Sequence, residues 1–425
     1  MIRIGCIADD FTGASDWGSF FAEKGIRTVL LNGVPDSETE HPYLAEVQIV
    51  VIALKTRTAP TDEAVRETLE ALRWLEEAGA QRFYIKYCST FDCTPAGNIG
   101  PVVDAVMDYL GEQVTVLCPA LPVNGRTTKD GQLFVNGVRL HESSMKDHPL
   151  TPMWDCRLRE LMRRQSRARI VSLGADYYKN EKTARDFMEK EILLAGADLK
   201  NPALIYFVPD FYLQEQGEAI CRLFKDCRVL TGGSGLCTFL ADAIPPEGLE
   251  TLPRGETKTA IIAGSCSAAT LMQIKAYRKE RETAISLDPV RLLNGADTVE
   301  SIWKTVSGRT EQELLLYSSQ EPEQVSRNQQ YGKEAVSEVL EYTQAELAFR
   351  LLESGRRNLI VAGGETSGAI TKRLGYAGYY IGESIAPGVP VLTPTDTPDI
   401  RLVLKSGNFG DARFFLKAAD YLRKH

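Results

Sequence analysis

Ile2–Ala14, IRIGCIADDFTGA, is an apolar run that ends in two adjacent carboxylates and a small-residue turn. Its apolar residues are consecutive, which is how a strand covered by helices on both faces looks. A helical stretch at 14–24 follows. The alternation repeats with VQIVVIAL (47–54) before a helical 62–78, FYIKY (83–87) before 98–110, and then VTVLCPA (114–120). This spacing predicts βαβ units around a mainly parallel sheet.

Outward from there, 121–151 reads as a long irregular stretch rich in Gly, Asn, Thr and charge, a length at which loops tend to be functional. ARIVSL (168–173), ALIYFV (203–208) and RVL (228–230), the last leading into TGGSG (231–235), resume the pattern. It breaks at AIPPEGLETLPRGETK (243–258), whose prolines and charges mark a domain boundary. A second series follows: TAIIAG (259–264), a helix over 268–280, AISLD (284–288), ELLLYSS (313–319), a long helix near 333–353, NLIVAG (358–363), RLVLKSG (401–407) and a closing helix from 411. The expected fold is α/β with two domains, 1–245 and 246–425, each a mainly parallel sheet flanked by helices.

Composition narrows the partners. The 425 residues hold 49 Lys plus Arg against 57 Asp plus Glu, a formal charge of -8, which disfavours nucleic acid and anionic membrane surfaces. No apolar run reaches the length of a bilayer span, and MIRIGCIADD reads straight into a strand without a leader. Nine scattered cysteines with no C-x-x-C suit a reducing cytoplasm. His41, His141, His148 and His425 are the only histidines and none has a ligand partner at i+4, which disfavours zinc or a His-based triad.

The chemistry concentrates at strand ends. NLIVAGGETSGAI (358–370) puts Gly363, Gly364, Glu365, Thr366 and Ser367 between a strand and a helix, where backbone N–H groups converge on an anion; Thr366 and Ser367 add hydroxyls and an N-cap candidate. TAIIAGSCSAAT (259–270), with Gly264, Ser265 and Ser267, and RLVLKSGNFGD (401–411), with Gly407, supply two more small-residue turns, together suggesting one crevice. In the first half, Asp9 and Asp10 end the first strand, Arg57 follows the second, and Lys86, Tyr87, Cys88 and Ser89 follow the third. One carboxylate can accept a proton while the other caps a helix, and Arg with Lys suits a small carboxylate ligand. Cys88 and Cys93 read as packing thiols, having no histidine nearby.

Taken together, ADDFTGA (8–14), KYCSTFDCTPAGNIGPV (86–102), PALPVNGRTT (119–128), HPLTPM (148–153), AGGETSGAI (362–370) and LVLKSGNFGD (402–411) resemble the four-carbon acid sugar kinase family over nearly the whole chain. The resemblance implies a sugar-acid domain followed by a nucleotide domain, an active site in the interdomain cleft, and transfer of the ATP γ-phosphate to a terminal hydroxyl with Mg²⁺ as cofactor. It places 3-oxo-tetronate ahead of D-threonate and D-erythronate as acceptor. By motif it assigns Asp10, Arg57 and Lys86 to Ser89 to the sugar acid, with Asp10 the candidate base. It assigns Ser265 or Ser267, Gly363 to Thr366, and Gly407 to the nucleotide; Ser267 is favoured as an N-cap. Cys93 stands where the family pattern suggests serine, and Glu365 and Asp411 are the carboxylates considered for the metal. A homodimer stays open, as does a non-catalytic sensor of nucleotide or sugar acid; a dinucleotide oxidoreductase is disfavoured because the first turn lacks G-x-G-x-x-G.

Overall fold

The computed structural model describes residues 1–36, 40–91, 94–147, 151–196, 204–246 and 257–424. Cys93, His148, His425 and most of the 243–258 junction therefore lie outside the described residues. The chain divides into two compact units, Met1–Gly248 and Leu249–His425.

In the first unit the strands are β1 (Ile4–Ala8), β2 (Thr28–Asn32), β3 (Ile49–Ala53), β4 (Arg82–Lys86), β5 (Val114–Cys118), β6 (Arg126–Lys129), β7 (Gln132–Val135), β8 (Val138–Arg139), β9 (Arg169–Leu173), β10 (Ile205–Pro209) and β11 (Val229–Gly232). The main sheet runs β2-β3-β1-β4-β11-β5-β10-β9, with its described pairings parallel. Every residue of β1 and β3 is buried, as their unbroken apolar sequences require. The helix Phe11–Ala22 covers this part of the sheet, where Trp17 packs on Phe21 and Tyr84 with ring centroids 4.5 and 5.2 Å away. Strand order reverses around β1, so the carboxyl ends of β3, β1, β4 and β11 share one edge of the sheet, the usual place for a ligand.

Within the stretch 121–151, the described residues 121–147 depart from the expectation of an irregular loop. They fold as a small antiparallel sheet, β6-β7-β8, followed by single 3₁₀ turns at Leu140–Glu142 and Ser144–Asp147. Its strands are too short for their periodicity to stand out against the polar turns between them.

The second unit holds β12 (Thr259–Ala263), β13 (Ala284–Ser286), β14 (Glu313–Tyr317), β15 (Asn358–Ala362), β16 (Gly378–Ala386), β17 (Val389–Pro394) and β18 (Arg401–Lys405), in the order β13-β14-β12-β15-β18-β17-β16. The pairings from β13 through β18 are parallel, whereas β17 runs antiparallel to both β16 and β18. That hairpin was not legible as strand. Helices Ala268–Glu280 and Phe414–Lys424 pack over Ile261, Ile360 and Val403 in one apolar core. Order reverses between β12 and β15, which puts a crevice at their carboxyl ends.

Candidate functional site

In the first unit Asp10 is the N-cap of Phe11–Ala22, its Oδ1 accepting the Gly13 N–H at 2.8 Å. The same oxygen pairs with Arg57 Nη2 at 2.8 Å. Arg57 also grips Asp9 as a fork, Nε to Oδ2 at 2.9 Å and Nη2 to Oδ1 at 2.8 Å. Burial works against the guanidinium charge, but Asp9 and then Asp10 outweigh it and hold Arg57 firmly protonated. Asn98 fixes the loop that carries Arg57, its Nδ2 donating to the carbonyls of Thr56 at 2.6 Å and Ala59 at 3.1 Å.

Lys86 ends β4 and is only 5% exposed, its Nζ donating to the Tyr87 carbonyl at 2.9 Å. A side chain at Gly13 would meet Asp10 Oδ1 at 2.3 Å and Lys86 Nζ at 3.1 Å. The helix start must therefore be glycine for the carboxylate and the ammonium to share that space. Asp10, Arg57 and Lys86 thus converge at neighbouring strand ends.

Tyr87 does not join them by its side chain. Its ring packs edge-on against Phe91 and its hydroxyl meets Thr231 Oγ1 at 3.1 Å in the core, so only its main chain faces Lys86. The alternation of a strand end turns residue 87 inward when 86 faces the edge. Cys88 Sγ lies 2.8 Å from Thr90 Oγ1, and Ser89 lies against Gly233. Outside the expected set, Ser234 of the loop after β11 donates to Asp16 Oδ2 at 2.5 Å. Asp16 went unread because it sits within a helix, where a lone acid reads as surface.

In the second unit Ser267 is the N-cap of Ala268–Glu280, its Oγ accepting from Thr270 N at 3.2 Å and donating to the Gly407 carbonyl at 2.7 Å. The hydroxyl favoured for a nucleotide is thus committed to joining two loops. Ser265 Oγ accepts from Ser267 N at 3.2 Å and sits where a Cβ on Gly407 would come within 2.1 Å, so residue 407 has room only for hydrogen.

The helix Gly364–Leu374 begins earlier than the sequence suggested. Gly363, at φ +130°, is its N-cap and offers no side chain to the first-turn N–H groups. Thr366 turns its hydroxyl toward Gln344 Oε1 at 3.5 Å, and Ser367 Oγ is buried without a partner, so neither provides the cap expected of it. What the motif presents is backbone: an uncapped helix N-terminus, the partly positive end of the dipole. One pocket is lined by Gly264, Ser265 and the Gly363–Thr366 turn, with Lys333 and an apolar wall that includes Val325 and Leu340.

Two supports of this pocket were missed. Gln344, 1% exposed, donates to Ser318 Oγ at 3.0 Å and to the Ala263 carbonyl at 3.4 Å, stitching strand ends from the middle of a helix. Lys405, also 1% exposed, donates to the carbonyls of Ser406 at 3.1 Å and Gly407 at 3.0 Å and to Thr270 Oγ1 at 3.2 Å. Burial depresses its pKa to about 8. Gly407 O thus receives Ser267, Thr270 and Lys405, which fixes that peptide before any ligand arrives.

Among the described residues, His141, Asp155 and Cys156 bring ligand atoms within 4.8 Å of one another. Asp155, however, clasps Arg157 through both oxygens, and Cys156 donates to Gln132, so this cluster reads as structural. Asp411 is bound to Lys417 and to the Arg413 N–H. Glu365 remains as an exposed carboxylate on the pocket rim, and its charge, after burial, helps raise the Glu341 pKa.

Residues 4–240 match the model of a sugar-binding N-terminal domain and 260–415 that of a nucleotide-binding C-terminal domain. A 3-oxo-tetronate kinase of Brucella melitensis biotype 1 is 40% identical over 428 residues, covering 98% of this chain and 95% of the relative. This chain belongs to the four-carbon acid sugar kinase family. The 3-oxo-tetronate kinase of Haemophilus influenzae is likewise 40% identical, with 97% and 98% covered. The kinase fold is that of Haemophilus influenzae protein HI1011, at a TM-score of 0.84 and 38% identity over 98% of this chain and 99% of that one. A Salmonella typhimurium LT2 structure gives a TM-score of 0.88 at 38% identity, with the same shares covered. No helix among the described residues is long and apolar enough to cross a membrane.

Proposed function

We propose that this kinase transfers the γ-phosphate of ATP to the terminal hydroxyl of 3-oxo-tetronate, yielding 3-oxo-tetronate 4-phosphate. The observation that carries the phosphate side is the uncapped N-terminus of Gly364–Leu374, opening on the pocket that Gly264 and Ser265 also line. Its amides suit polyphosphate oxygens, Lys333 adds a cation, and the apolar wall suits the adenine ring. The residues fit a magnesium nucleotide, because Mg²⁺ needs only one or two carboxylates besides phosphate and water, and Glu365 supplies one. When bound, the ion neutralises phosphate charge.

On the acceptor side, Arg57 and Lys86 suit the carboxylate of the acid by fork and point charge. Asp10 belongs with them: an oxygen that already caps a helix and pairs with Arg57 orients that cation and is poorly placed to gain a proton. Turnover has to bring the two half-sites together, since the phosphate must meet the hydroxyl in line. The relatives named 3-oxo-tetronate kinase, at 40% identity over nearly the full chain, support the choice of acceptor. A coupled assay of ADP release with 3-oxo-tetronate, D-threonate and D-erythronate, with and without magnesium, tests it. Magnesium-dependent turnover greatest on 3-oxo-tetronate is expected, and a preference for threonate or erythronate would reassign the substrate.

A further inference from the structure

TGGSG (231–235) takes no part in the site as read from the sequence, yet it ends the strand next to Lys86: Gly232 is the register partner of Lys86. The loop is held rigidly. Tyr84 Oη donates to the Gly233 carbonyl at 2.6 Å, and a Cβ on Gly233 would lie 2.7 Å from the Pro119 carbonyl. Ser234, 1% exposed, spends its hydroxyl on Asp16 Oδ2 at 2.5 Å. Asp16 lies three residues beyond Gly13 on the same helix, so both occupy one face, and Gly13 is the residue whose missing side chain makes room for Lys86 Nζ. Its neighbours Ser15 and Trp17 are buried while Asp16 keeps partial exposure. Ser234 is the hydrogen-bond partner described for its carboxylate, whereas Asp10 holds both a helix and Arg57.

We propose that Asp16, held by Ser234, is the carboxylate that accepts the proton of the acceptor hydroxyl, while Asp10 keeps Arg57 set for the acid group. This rests on the kinase reading above. In the step, the substrate O–H proton passes to Asp16, the hydroxyl oxygen forms its bond to the γ-phosphorus, and the bond from that phosphorus to the β,γ-bridging oxygen breaks, its electron pair leaving with ADP. The groups acting on Asp16 fit the role. Burial raises its pKa, Lys86 and the Ser234 hydrogen bond lower it in turn, and Asp10 and Glu23 raise it again. From the packed helix Cys237–Asp242 the facing titratable group is Cys237, fully buried, whose own pKa burial pushes well up.

The experiment is kcat and KM against pH for the full chain with saturating magnesium ATP, comparing wild type, Asp16→Asn, Ser234→Ala and Asp10→Asn. Loss of a base typically costs about 10² to 10⁴ in rate, and Asp16→Asn should lose that in kcat. Ser234→Ala removes a bond that lowers the Asp16 pKa, so the acid limb of kcat should move to higher pH, which a purely structural serine would not cause. Asp10→Asn should act mainly on the KM for the acid. An Asp16→Asn kcat within tenfold of wild type, or an acid limb unmoved in Ser234→Ala, overturns the assignment. If Asp16→Asn does not fold, the Ser234→Ala profile decides. Absence of turnover by the wild type on every four-carbon acid would instead defeat the kinase reading itself.

Discussion

Lys405 is a buried ammonium with no carboxylate pairing with it among the described residues, and burial alone brings its pKa down to about 8. The unfolded chain would titrate this group near 10.5. Below about pH 8 both states carry the proton and the full penalty of burying it stands. Between about 8 and 10.5 the unfolded state binds more protons, so the stability contribution rises with pH. Wild type should gain about 1–2 kcal/mol relative to Lys405→Met between pH about 7.5 and 9.5, read from urea midpoints. The variant also removes one of the three donors to the Gly407 carbonyl, so its KM for ATP should rise while that for the acid holds. At this scale the sequence placed Asp10, Arg57 and Lys86 at neighbouring strand ends correctly, because the α/β rule that sends ligands there depends only on chain order. Ser267 is the N-cap that the sequence favoured, whereas the Tyr87 hydroxyl turns into the core and Thr366 caps no helix, since which way a hydroxyl points depends on what packs beside it.

Gly363 and Gly364 look equivalent in the sequence, but the element that follows them separates the two. At φ +130° Gly363 is in a backbone region closed to side chains, and an added Cβ would crowd Thr366 Oγ1 at 3.0 Å and Ser265 N at 3.1 Å. Gly364 has open space around it. Gly363→Ala should weaken ADP binding about tenfold or more, equivalent to about 1.4 kcal/mol, without weakening the sugar acid, and Gly364→Ala should be tolerated far better. Calorimetric titration of each ligand separates these outcomes. Elements with both faces covered were legible: β1 and β3 throughout, and β12 and β15 after their first residues Thr259 and Asn358, are apolar runs because helices lie on either side. The β16–β17 hairpin and the β6–β8 sheet were not. Antiparallel strands with partly exposed faces mix polar residues into short spans, which leaves little to set them apart from loop.

For the whole molecule, a kinase that binds its nucleotide and its acid in separate units has to keep water from the γ-phosphate until the acceptor is in place. Phosphate release from ATP without sugar acid should run far below ADP release with 3-oxo-tetronate present, and parallel assays of the two products measure that ratio. Equal rates would show that the nucleotide site is competent alone. By itself the sequence determined the α/β class and the two sets of small-residue and charged strand-end loops, and its resemblance to the family implied a sugar-acid part before a nucleotide part. The class and the loops follow from periodicity and from turns local to the chain, the order of the two parts from the family motifs. Only the tertiary structure decided which side chains are free to act. It tied Ser267 and Lys405 to Gly407, set Asp10 on Arg57, and brought Ser234 to Asp16 across 218 residues of sequence. Strands that neighbour one another in a parallel sheet are distant along the chain, and the contacts between their ends exist only once the sheet has formed.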